Sequence, residues 1–335
     1  MRSLKLFNAS RERARHGLTT VRPNLLMGQR FLVSRKILGN IIAAAGLSKD
    51  SNVLEVGAGL GVLTRELAKR TGLVVAVEKD KRLFYILSEE LAREGVTNVR
   101  LVYGDILNMP LLEVVECFQR SPKIFNGGEI LNGDEPCNGG ELGMADGKRG
   151  AKEAKRKPEG AERKVEYSVV ANIPYYLTGR LLRRLLEGDE QPTEIVLMVQ
   201  KEVAERMVAR PPKMNLLALS VQAYGEPEII APVPASAFSP KPKVDSAIIK
   251  ISGISHRFFS RHRIKPEPFF ALMRAAFSHK RKTLSNSLAD AFGGKEAAAA
   301  ALKASGLAQR ARPEELSLSD WVILFRKWDE KAVMR

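Results

Sequence analysis

The residues with the clearest chemical potential run Asn172-Ile-Pro-Tyr175, directly after a predicted strand. One reaction that such a turn can support is chemistry on the exocyclic amine of a base. The amine on C6 of adenine is a poor nucleophile, because its lone pair is delocalised into the ring. A site that accepts hydrogen bonds from both amine hydrogens pulls the nitrogen toward a tetrahedral, nucleophilic state. The Asn172 side-chain oxygen can accept one hydrogen, and a backbone carbonyl of the turn at Pro174 can accept the other. Tyr175 can stack on the base, a contact worth about 1–3 kcal/mol. A plain Asn-x-Pro turn would carry the same residues.

A glycine-rich turn, Glu55-Val-Gly-Ala-Gly-Leu-Gly61, follows an earlier predicted strand and opens a helix. Such glycines let the backbone turn tightly, and the helix N-terminus offers free N–H groups. The spacing differs from the Gly-x-Gly-x-x-Gly of dinucleotide enzymes. Glu78 closes the next strand, where a carboxylate can accept ribose hydroxyls, and Asp105 closes the third, where one can hold an adenine amine. The pattern indicates a nucleoside cofactor, or else an ordinary β–α turn with solvated acids.

If the nucleoside cofactor is a methyl donor with a sulfonium group, neither a metal nor a general base is required. The site then has only to align the donor methyl group with the acceptor amine. The four histidines are scattered, and Cys117 and Cys137 do not form a metal-ligand set. We therefore predict no metal site and no disulfide framework, which suits a reducing compartment.

The elements that position these residues alternate between strand and helix from about residue 50. Apolar runs predict strands over residues 53–56, 73–77, 98–103, 167–171 and 194–199, with helices between them. This alternation predicts a mainly parallel sheet with helices on both faces and right-handed crossovers.

The chain divides into a basic N-terminal segment and two expected domains. Residues 1–36 form the basic segment, residues 37–252 an α/β domain, and residues 265–335 a small all-helical C-terminal domain. In the last, helical patterns cover residues 266–290, 295–305 and 314–328.

Residues 119–164 interrupt the α/β pattern. They are rich in Gly, Asn, Lys and Glu and lack apolar periodicity, so we expect a disordered insertion. It is either a tolerated surface loop or a secondary contact for RNA or a partner. Deleting residues 120–163 should leave the fold and activity largely intact.

The net charge of +16 is concentrated in two places. Residues 1–36 hold nine Lys or Arg and one Glu, and residues 256–282 hold eight and one Glu. This distribution is typical of a polyanion-binding surface, for which nucleic acid and an anionic membrane are the alternatives. No apolar run reaches the roughly 18 residues of a transmembrane helix. The Arg-rich, acid-poor N-terminus would also suit an organelle transit peptide.

Taken in order, the motifs resemble those of the KsgA family of rRNA adenine N6,N6-dimethyltransferases. The segments that carry this resemblance are Gly28-Gln-Arg-Phe-Leu32, Leu54-Glu-Val-Gly-Ala-Gly-Leu-Gly61, Glu78, Gly104-Asp105, Asn172-Ile-Pro-Tyr175, Leu197-Met-Val-Gln-Lys-Glu-Val-Ala-Glu-Arg206, Phe238-Ser-Pro-Lys-Pro-Lys-Val-Asp-Ser246 and Ala276-Phe-Ser-His-Lys-Arg-Lys-Thr-Leu284. The resemblance covers nearly the whole chain outside the insertion. It implies a Rossmann-like, seven-stranded S-adenosylmethionine methyltransferase domain followed by the helical domain.

The resemblance also implies roles for individual residues. Those expected to bind S-adenosylmethionine are Gln29, Arg30, Leu32, Gly57, Gly59, Glu78, Asp105 and Asn172. Those expected to be catalytic are Asn172, Pro174 and Tyr175. Those expected to bind the substrate are Tyr175 and Phe238 at the target base and Lys280, Arg281 and Lys282 at rRNA phosphates. Phe238 could instead be a core aromatic, and the lysine-arginine run a solvated helix face.

The implied reaction is dimethylation of N6 on two adjacent adenines near the 3′ end of small-subunit rRNA, during ribosome biogenesis. The expected partner is this rRNA within a pre-30S subunit, and the expected enzyme is a cytoplasmic monomer that needs no membrane. Three alternatives stay open: an Erm-like enzyme acting on large-subunit rRNA, a DNA adenine methyltransferase, and a non-catalytic ribosome-assembly or transcription factor.

Three positions depart from the family pattern. Arg30 stands where Asn is usual, Ser34 replaces a common Asp, and Met214-Asn-Leu-Leu217 replaces a Tyr-Gly pair. If the usual Asn contacts the cofactor, Arg30 must do so differently or not at all.

Overall fold

The computed structural model describes residues 23–24, 28–119, 130–132, 165–279 and 282–333. For residues 130–132 and 331–333 it describes the backbone alone.

Among the residues described, eight strands form a sheet at the centre of the molecule. Its strands are β2 (Asn52–Val56), β3 (Leu73–Glu78), β4 (Val99–Tyr103), β5 (Ile130–Asn132), β6 (Ser168–Asn172), β7 (Glu194–Gln200), β8 (Glu226–Val233) and β10 (Ser246–Ser252). Their order across the sheet is β5-β4-β3-β2-β6-β7-β10-β8. The strands from β5 to β7 run parallel, and β10 lies antiparallel to both β7 and β8.

Helices follow the strands and then form the C-terminal region. They are α1 (Arg35–Ala45), α2 (Val62–Ala68), α3 (Lys81–Arg93), α4 (Leu111–Glu116), α5 (Thr178–Glu187), α6 (Lys201–Met207), α7 (Leu216–Gln222), α8 (Arg257–His262), α9 (Pro266–Phe277), α10 (Leu284–Ser287), α11 (Ala289–Phe292), α12 (Lys295–Ala304) and α13 (Leu318–Val333). In the part of the chain that the structure describes, no helix is both long and apolar enough to span a bilayer.

The predicted α/β architecture is confirmed, and all five predicted strands are present within one or two residues of their expected ends. The sheet differs from the expected seven strands by the addition of β5, which pairs parallel with β4 from Leu101↔Ile130 to Tyr103↔Asn132. Disorder throughout the insertion was therefore the wrong expectation for Ile130–Asn132, because three residues are too few to show a periodicity. The rest of the insertion, residues 120–129 and 133–164, lies outside the described residues.

Both faces of the sheet are buried, which explains the continuous apolar runs of its strands. Leu54 and Val75 belong to the hydrophobic cluster on one face. Their neighbours Val53 and Val74 belong to the cluster on the other face, under α1, α2 and α3. The strand ends are therefore held rigidly from both sides.

The C-terminal helices share the first of these clusters with the sheet. Residues 253–264, which the sequence left between two domains, contain α8, and its Phe259 is 3% exposed. The Phe259 ring packs against Tyr224, which precedes β8, with centroids 5.0 Å apart. Trp321 and Phe325 of α13 belong to the same continuous cluster as Leu54 and Val75.

The single helix expected over residues 266–290 is divided into α9, α10 and α11. The Ser278 hydroxyl donates to the Ala275 carbonyl at 2.7 Å as α9 ends. The Leu284 N–H then donates to the distant Ala311 carbonyl at 2.8 Å, a tertiary contact that a single-sequence pattern does not reveal.

Two departures from the family pattern act as helix caps. The Ser34 side chain accepts the Ile37 N–H at the start of α1, and the Asn215 side chain accepts the Ala218 N–H at 3.0 Å at the start of α7. Both residue types are favoured N-caps, so each departure has a local structural role.

Candidate active site

A cleft opens at the carboxyl ends of β2, β3, β4 and β6, and it encloses about 1310 Å³ including its open mouth. Parallel strands bring their carboxyl ends to one edge, where such sheets bind ligands. The sequence-predicted residues that line it are Gln29, Arg30, Leu32, Gly57, Gly59, Glu78, Asp105, Asn172, Pro174, Tyr175 and Phe238. Residues far apart in the chain thus meet in one cavity.

Of the three predicted phosphate contacts, the structure describes Lys282. Lys282 is exposed between α9 and α10 and does not line the cleft. Lys280 and Arg281 lie outside the described residues, so the expected cluster of three cations rests on the sequence alone.

Two glycines of the turn after β2 are required for different reasons. Gly57 has φ +76°, and a Cβ built there would meet no atom within 4 Å, so the turn leaves open space in the cleft. Gly61 has φ +74°, and a Cβ there would collide with Leu87 of α3 and with Arg65. The first glycine therefore leaves space beside the cleft, and the second permits helix packing.

Glu78, at the end of β3, holds the glycine turn in place. One carboxylate oxygen accepts the Gly59 N–H and the other accepts the Asp80 N–H, both at 2.7 Å. Burial raises the pKa of Glu78, and these two hydrogen bonds partly oppose the rise. Because a carboxylate offers about four acceptor positions, further positions remain for ligand hydroxyls.

Asp105, just after β4, is paired with Lys79. The Lys79 ammonium donates to Asp105 Oδ2 at 2.7 Å, and the Leu107 N–H donates to Oδ1 at 3.1 Å. Burial acts to raise the pKa of Asp105, but the hydrogen bond and charge of Lys79 outweigh it and hold that pKa below its usual range. The carboxylate is therefore ionised and ready to accept a hydrogen bond.

The segment Gly28–Leu32, here named the strap, crosses the cleft. Gln29 Nε2 donates to Asp80 Oδ2 at 2.8 Å on one side. On the other, strand β1 (Phe31–Leu32) pairs antiparallel with β9 (Phe238–Ser239). The strap is thus tied at both ends.

Asn172 is the last residue of β6, and the strap orients its side chain. Its Nδ2 donates to the Arg30 carbonyl at 3.5 Å, which leaves the amide oxygen as an acceptor. The Pro174 carbonyl accepts the Leu177 N–H at 3.0 Å. In the described residues no comparable backbone bond to the Ile173 carbonyl is found, so Ile173 offers the second acceptor of the turn.

The two aromatic residues predicted to hold a base are anchored by strands. The Tyr175 hydroxyl and the buried Ser246 hydroxyl, at the start of β10, lie 2.7 Å apart in a hydrogen bond. Phe238 belongs to β9, where it pairs with Leu32 of the strap. Both residues line the cleft, and Phe238 is 5% exposed, so it packs into the core as well.

Four cleft residues with polar side chains were not predicted from the sequence to be site residues: Glu55, Lys79, Tyr176 and Arg180. Glu55 is 1% exposed, and burial raises its pKa to about 8. Tyr176 is 61% exposed at the cleft mouth. Their positions beside the motifs were a signal, since Glu55 opens the glycine turn and Tyr176 follows Tyr175.

Comparisons with known proteins agree with this geometry. A family profile described as ribosomal RNA adenine dimethylase matches residues 22–330. The ribosomal RNA small subunit methyltransferase A of Dehalococcoides mccartyi is 38% identical over 306 residues, which cover 91% of this chain and 88% of that protein. The corresponding protein of Moorella thermoacetica is 36% identical, with coverage of 91% and 92%.

Two solved structures share the fold. A dimethyladenosine transferase from Plasmodium falciparum has a TM-score of 0.66 at 22% identity and covers 90% of this chain and 98% of its own. The 23S rRNA methyltransferase ErmE has a TM-score of 0.57 at 24% identity, with coverage of 89% and 99%. At these identities the likeness concerns the fold alone, whereas the profile and the curated relatives define the family. The chain belongs to the ribosomal RNA adenine dimethylase family.

Proposed function

We propose that this chain dimethylates N6 of two adjacent adenines near the 3′ end of small-subunit rRNA, with S-adenosylmethionine as the methyl donor. The observation that carries this proposal is the meeting of Asn172 and Tyr175 with the glycine turn, Glu78 and Asp105 in one cleft. The enzyme is an rRNA adenine dimethyltransferase, like the relatives named small subunit methyltransferase A.

The cleft residues fit an adenosyl cofactor. The space beside Gly57 would be filled by a Cβ, and the carboxylates of Glu78 and Asp105 stand at successive strand ends. Glu78 would hold ribose hydroxyls and Asp105 the adenine amine, while the turn at Gly57 and Gly59 would pass the amino-acid part. When bound, the cofactor would supply a methyl group from its sulfonium sulfur, and the neutral thioether S-adenosylhomocysteine would be the leaving group.

The chain's own residues activate the target amine. The Asn172 amide oxygen would accept one N6 hydrogen, and the Ile173 carbonyl would accept the other, so that the nitrogen lone pair becomes available. Tyr175 would stack on the adenine, its ring fixed by the bond to Ser246. Phe238 would cover the opposite face. Alignment of donor and acceptor in the cleft would add to the rate enhancement.

The target adenine must leave its stack to enter the cleft, which costs roughly a few kcal/mol. Phosphate contacts from the two basic segments would offset this cost and make binding strongly dependent on salt. We further propose that the substrate is a pre-30S particle and that the enzyme acts in the cytoplasm as a monomer. Sedimentation of the purified protein would test the monomer.

Methyl incorporation into purified ribosomal particles tests the proposal. Small and large subunits from a strain that lacks this gene are incubated with the protein and labelled S-adenosylmethionine, and primer extension locates the modified bases. We expect label on two adjacent adenines near the 3′ end of small-subunit rRNA. Label on a single adenine of the large subunit would instead support an Erm-like activity, and RNA binding without cofactor binding a non-catalytic factor.

A further inference from the structure

Arg30 lines the cleft, and a hydrogen bond joins its side chain to a loop that carries two further cations. Arg30 lies in the strap, and its Nη1 donates to the Pro240 carbonyl at 3.2 Å. Lys241 and Lys243 follow in the same loop, where both are exposed on either side of the buried Pro242. Arg30, Lys241 and Lys243 are named the basic rim below.

The basic rim lies on the side of the cleft that is expected to receive the target base. The Arg30 carbonyl accepts the Asn172 amide at 3.5 Å, and Phe238 precedes the loop in β9. Glu78 ends β3 and Asp105 follows β4, and both strands lie on the far side of β2 from β6. The guanidinium of Arg30 therefore belongs to the end of the cleft away from these two acids.

The charge of the rim is not neutralised by the acids around it. In the ranges that the structure describes, the ion pairs involve other groups, and no carboxylate lies within 4 Å of the Arg30, Lys241 or Lys243 cations. Asp245, the acid of this loop, uses its Oδ1 to accept the Ala235 N–H at 2.9 Å. Three cations without a nearby counter-charge favour an anionic ligand.

An RNA phosphate is the anion that this position favours. A nucleotide flipped into the cleft brings its flanking phosphates to the rim next to its base. Arginine presents a planar fork of donors that matches phosphate oxygens, and flexible lysines add point charges. The carboxylate of the cofactor is the competing anion, and cofactor affinity separates the two.

We propose that the basic rim binds RNA phosphates beside the flipped adenosine, so that Arg30 positions the substrate and does not bind the cofactor. This inference rests on the proposed function, because it takes RNA as the substrate. It also explains how Arg can stand where the family usually has Asn.

Two measurements on each variant test the rim. Calorimetry with S-adenosylhomocysteine gives cofactor affinity, and binding to unmethylated small subunits between 50 and 200 mM potassium chloride gives RNA affinity and its salt slope. The variants are Arg30→Asn and the double change Lys241→Gln with Lys243→Gln. Lys303→Gln, at an exposed position of α12, is the matched control.

We expect Arg30→Asn to weaken particle binding about three- to tenfold and to lower the salt slope by about 0.7, the value for one lost phosphate contact. The double lysine variant should lower the slope by about twice as much. Affinity for S-adenosylhomocysteine should stay within about twofold of the unmodified protein, and Lys303→Gln should change neither quantity.

A loss of S-adenosylhomocysteine affinity in Arg30→Asn with unchanged particle binding would overturn the inference, as would an equal effect of Lys303→Gln. If Arg30→Asn does not fold, Arg30→Lys, which keeps the charge, should retain the salt slope. The double change Lys241→Gln with Lys243→Gln then tests the proposal, because an unchanged salt slope in that variant would show that the rim binds no phosphate. If the protein without substitutions binds particles through the rim but does not methylate them, the proposed function is wrong, whereas the phosphate-binding role of the rim still holds.

Discussion

At the residue scale, the site depends on polar side chains that the fold holds in one orientation. The Asn172 amide is oriented by the Arg30 carbonyl, and the Tyr175 hydroxyl by Ser246. Each partner lies more than 70 residues away in the chain, so the motif is oriented by contacts from outside itself. Such support is what keeps a catalytic group within the narrow geometry that a reaction needs.

Replacing Asn172 removes the acceptor proposed for the target amine. We expect Asn172→Ala to lower kcat by about 10²–10³-fold, the usual loss when one oriented hydrogen-bonding group is removed from a transition state. Affinity for the small subunit should stay within about twofold, because the proposed phosphate contacts are made by other side chains. Single-turnover methyl transfer and particle binding measure the two quantities. A variant with a nearly normal rate would contradict the assigned role.

Glu55 makes stability depend on pH. Burial raises its pKa from 4.5 to about 8, while the like charge of Glu78 adds to the rise and Arg65 opposes it. Because the folded pKa is the higher one, the contribution to stability is fully present below pH 4.5 and is lost as the pH rises through about 8. Over that window the loss is at most about 1.4 kcal/mol per pH unit.

Glu55→Gln should therefore be less sensitive to pH than the unmodified protein. Urea unfolding of the cofactor-free protein at pH 5.5 and pH 8 measures this, and we expect the variant to gain relative stability at the higher pH. Glu89→Gln, an exposed carboxylate of α3, is the matched control and should not show the change. Identical pH dependence in Glu55→Gln and the unmodified protein would show that Glu55 does not titrate in this way.

At the element scale, the strand ends position the site residues, and the short connections between elements restrict which side chains fit there. Parallel strands β2, β3, β4 and β6 end at the same edge, so each residue that follows a strand there reaches one cleft. The turn after β2 must also pass beneath α3, and the strap must return to pair with β9. Packing against α3 and pairing with β9 thus restrict the side chains that the glycine turn and the strap can carry.

Two glycine substitutions in one turn should separate cofactor binding from packing. Gly57→Ala places a methyl group in the open cleft and strains the backbone by about 1–2 kcal/mol, so S-adenosylhomocysteine affinity should fall clearly. Gly61→Ala carries the same strain and also overpacks Leu87, which adds about 1–3 kcal/mol of destabilisation. Calorimetry and melting temperature measure the two effects. Equal melting temperatures for the two variants would contradict the packing role of Gly61.

Strand β5 changes what we expect from removal of the insertion. Deleting residues 133–163 should leave activity intact and the melting temperature nearly unchanged, because the composition of this segment does not favour a buried core. Deleting residues 120–163 also removes β5 and uncovers β4, so it should lower the melting temperature further. Thermal unfolding of both variants measures the difference. Equal effects would show that β5 adds no stability.

At the scale of the whole molecule, the sheet and the C-terminal helices form one hydrophobic cluster. Helix α8 fills the segment between them, and Phe259 packs against Tyr224, Phe269 and Phe270. The Met214 N–H also donates to the Glu314 carbonyl at 2.9 Å, across the same junction. A continuous core of this kind favours cooperative unfolding.

Phe259→Ala should therefore destabilise the whole molecule rather than the helices alone. We expect a loss of about 3–5 kcal/mol, the usual cost of truncating a buried Phe, with a single unfolding transition retained. Far-ultraviolet circular dichroism and near-ultraviolet signals should shift together. Two separate transitions, of which only one moved, would mean that the helices form an independent unit.

Much of the fold and of the cleft could be predicted from local patterns. Each of these patterns lies within about ten residues of chain: the five apolar runs, the turn from Glu55 to Gly61, and the acids at successive strand ends. Because parallel strands share an edge, local strand assignments were enough to predict that Glu78, Asp105 and Asn172 converge. Local patterns were therefore sufficient to predict the class of fold and the cleft that contains these three residues.

The groups that support these residues come from distant parts of the chain, and local patterns do not identify them. The pairing of β1 with β9, the Lys79–Asp105 ion pair, the Arg30–Pro240 bond and the core shared by the sheet and helices join segments that are distant in sequence. Two-residue strands and single side-chain contacts produce no periodicity, so no local pattern signals them. These contacts form only when the whole chain folds, because burial and strand pairing across the core bring the distant segments next to each other.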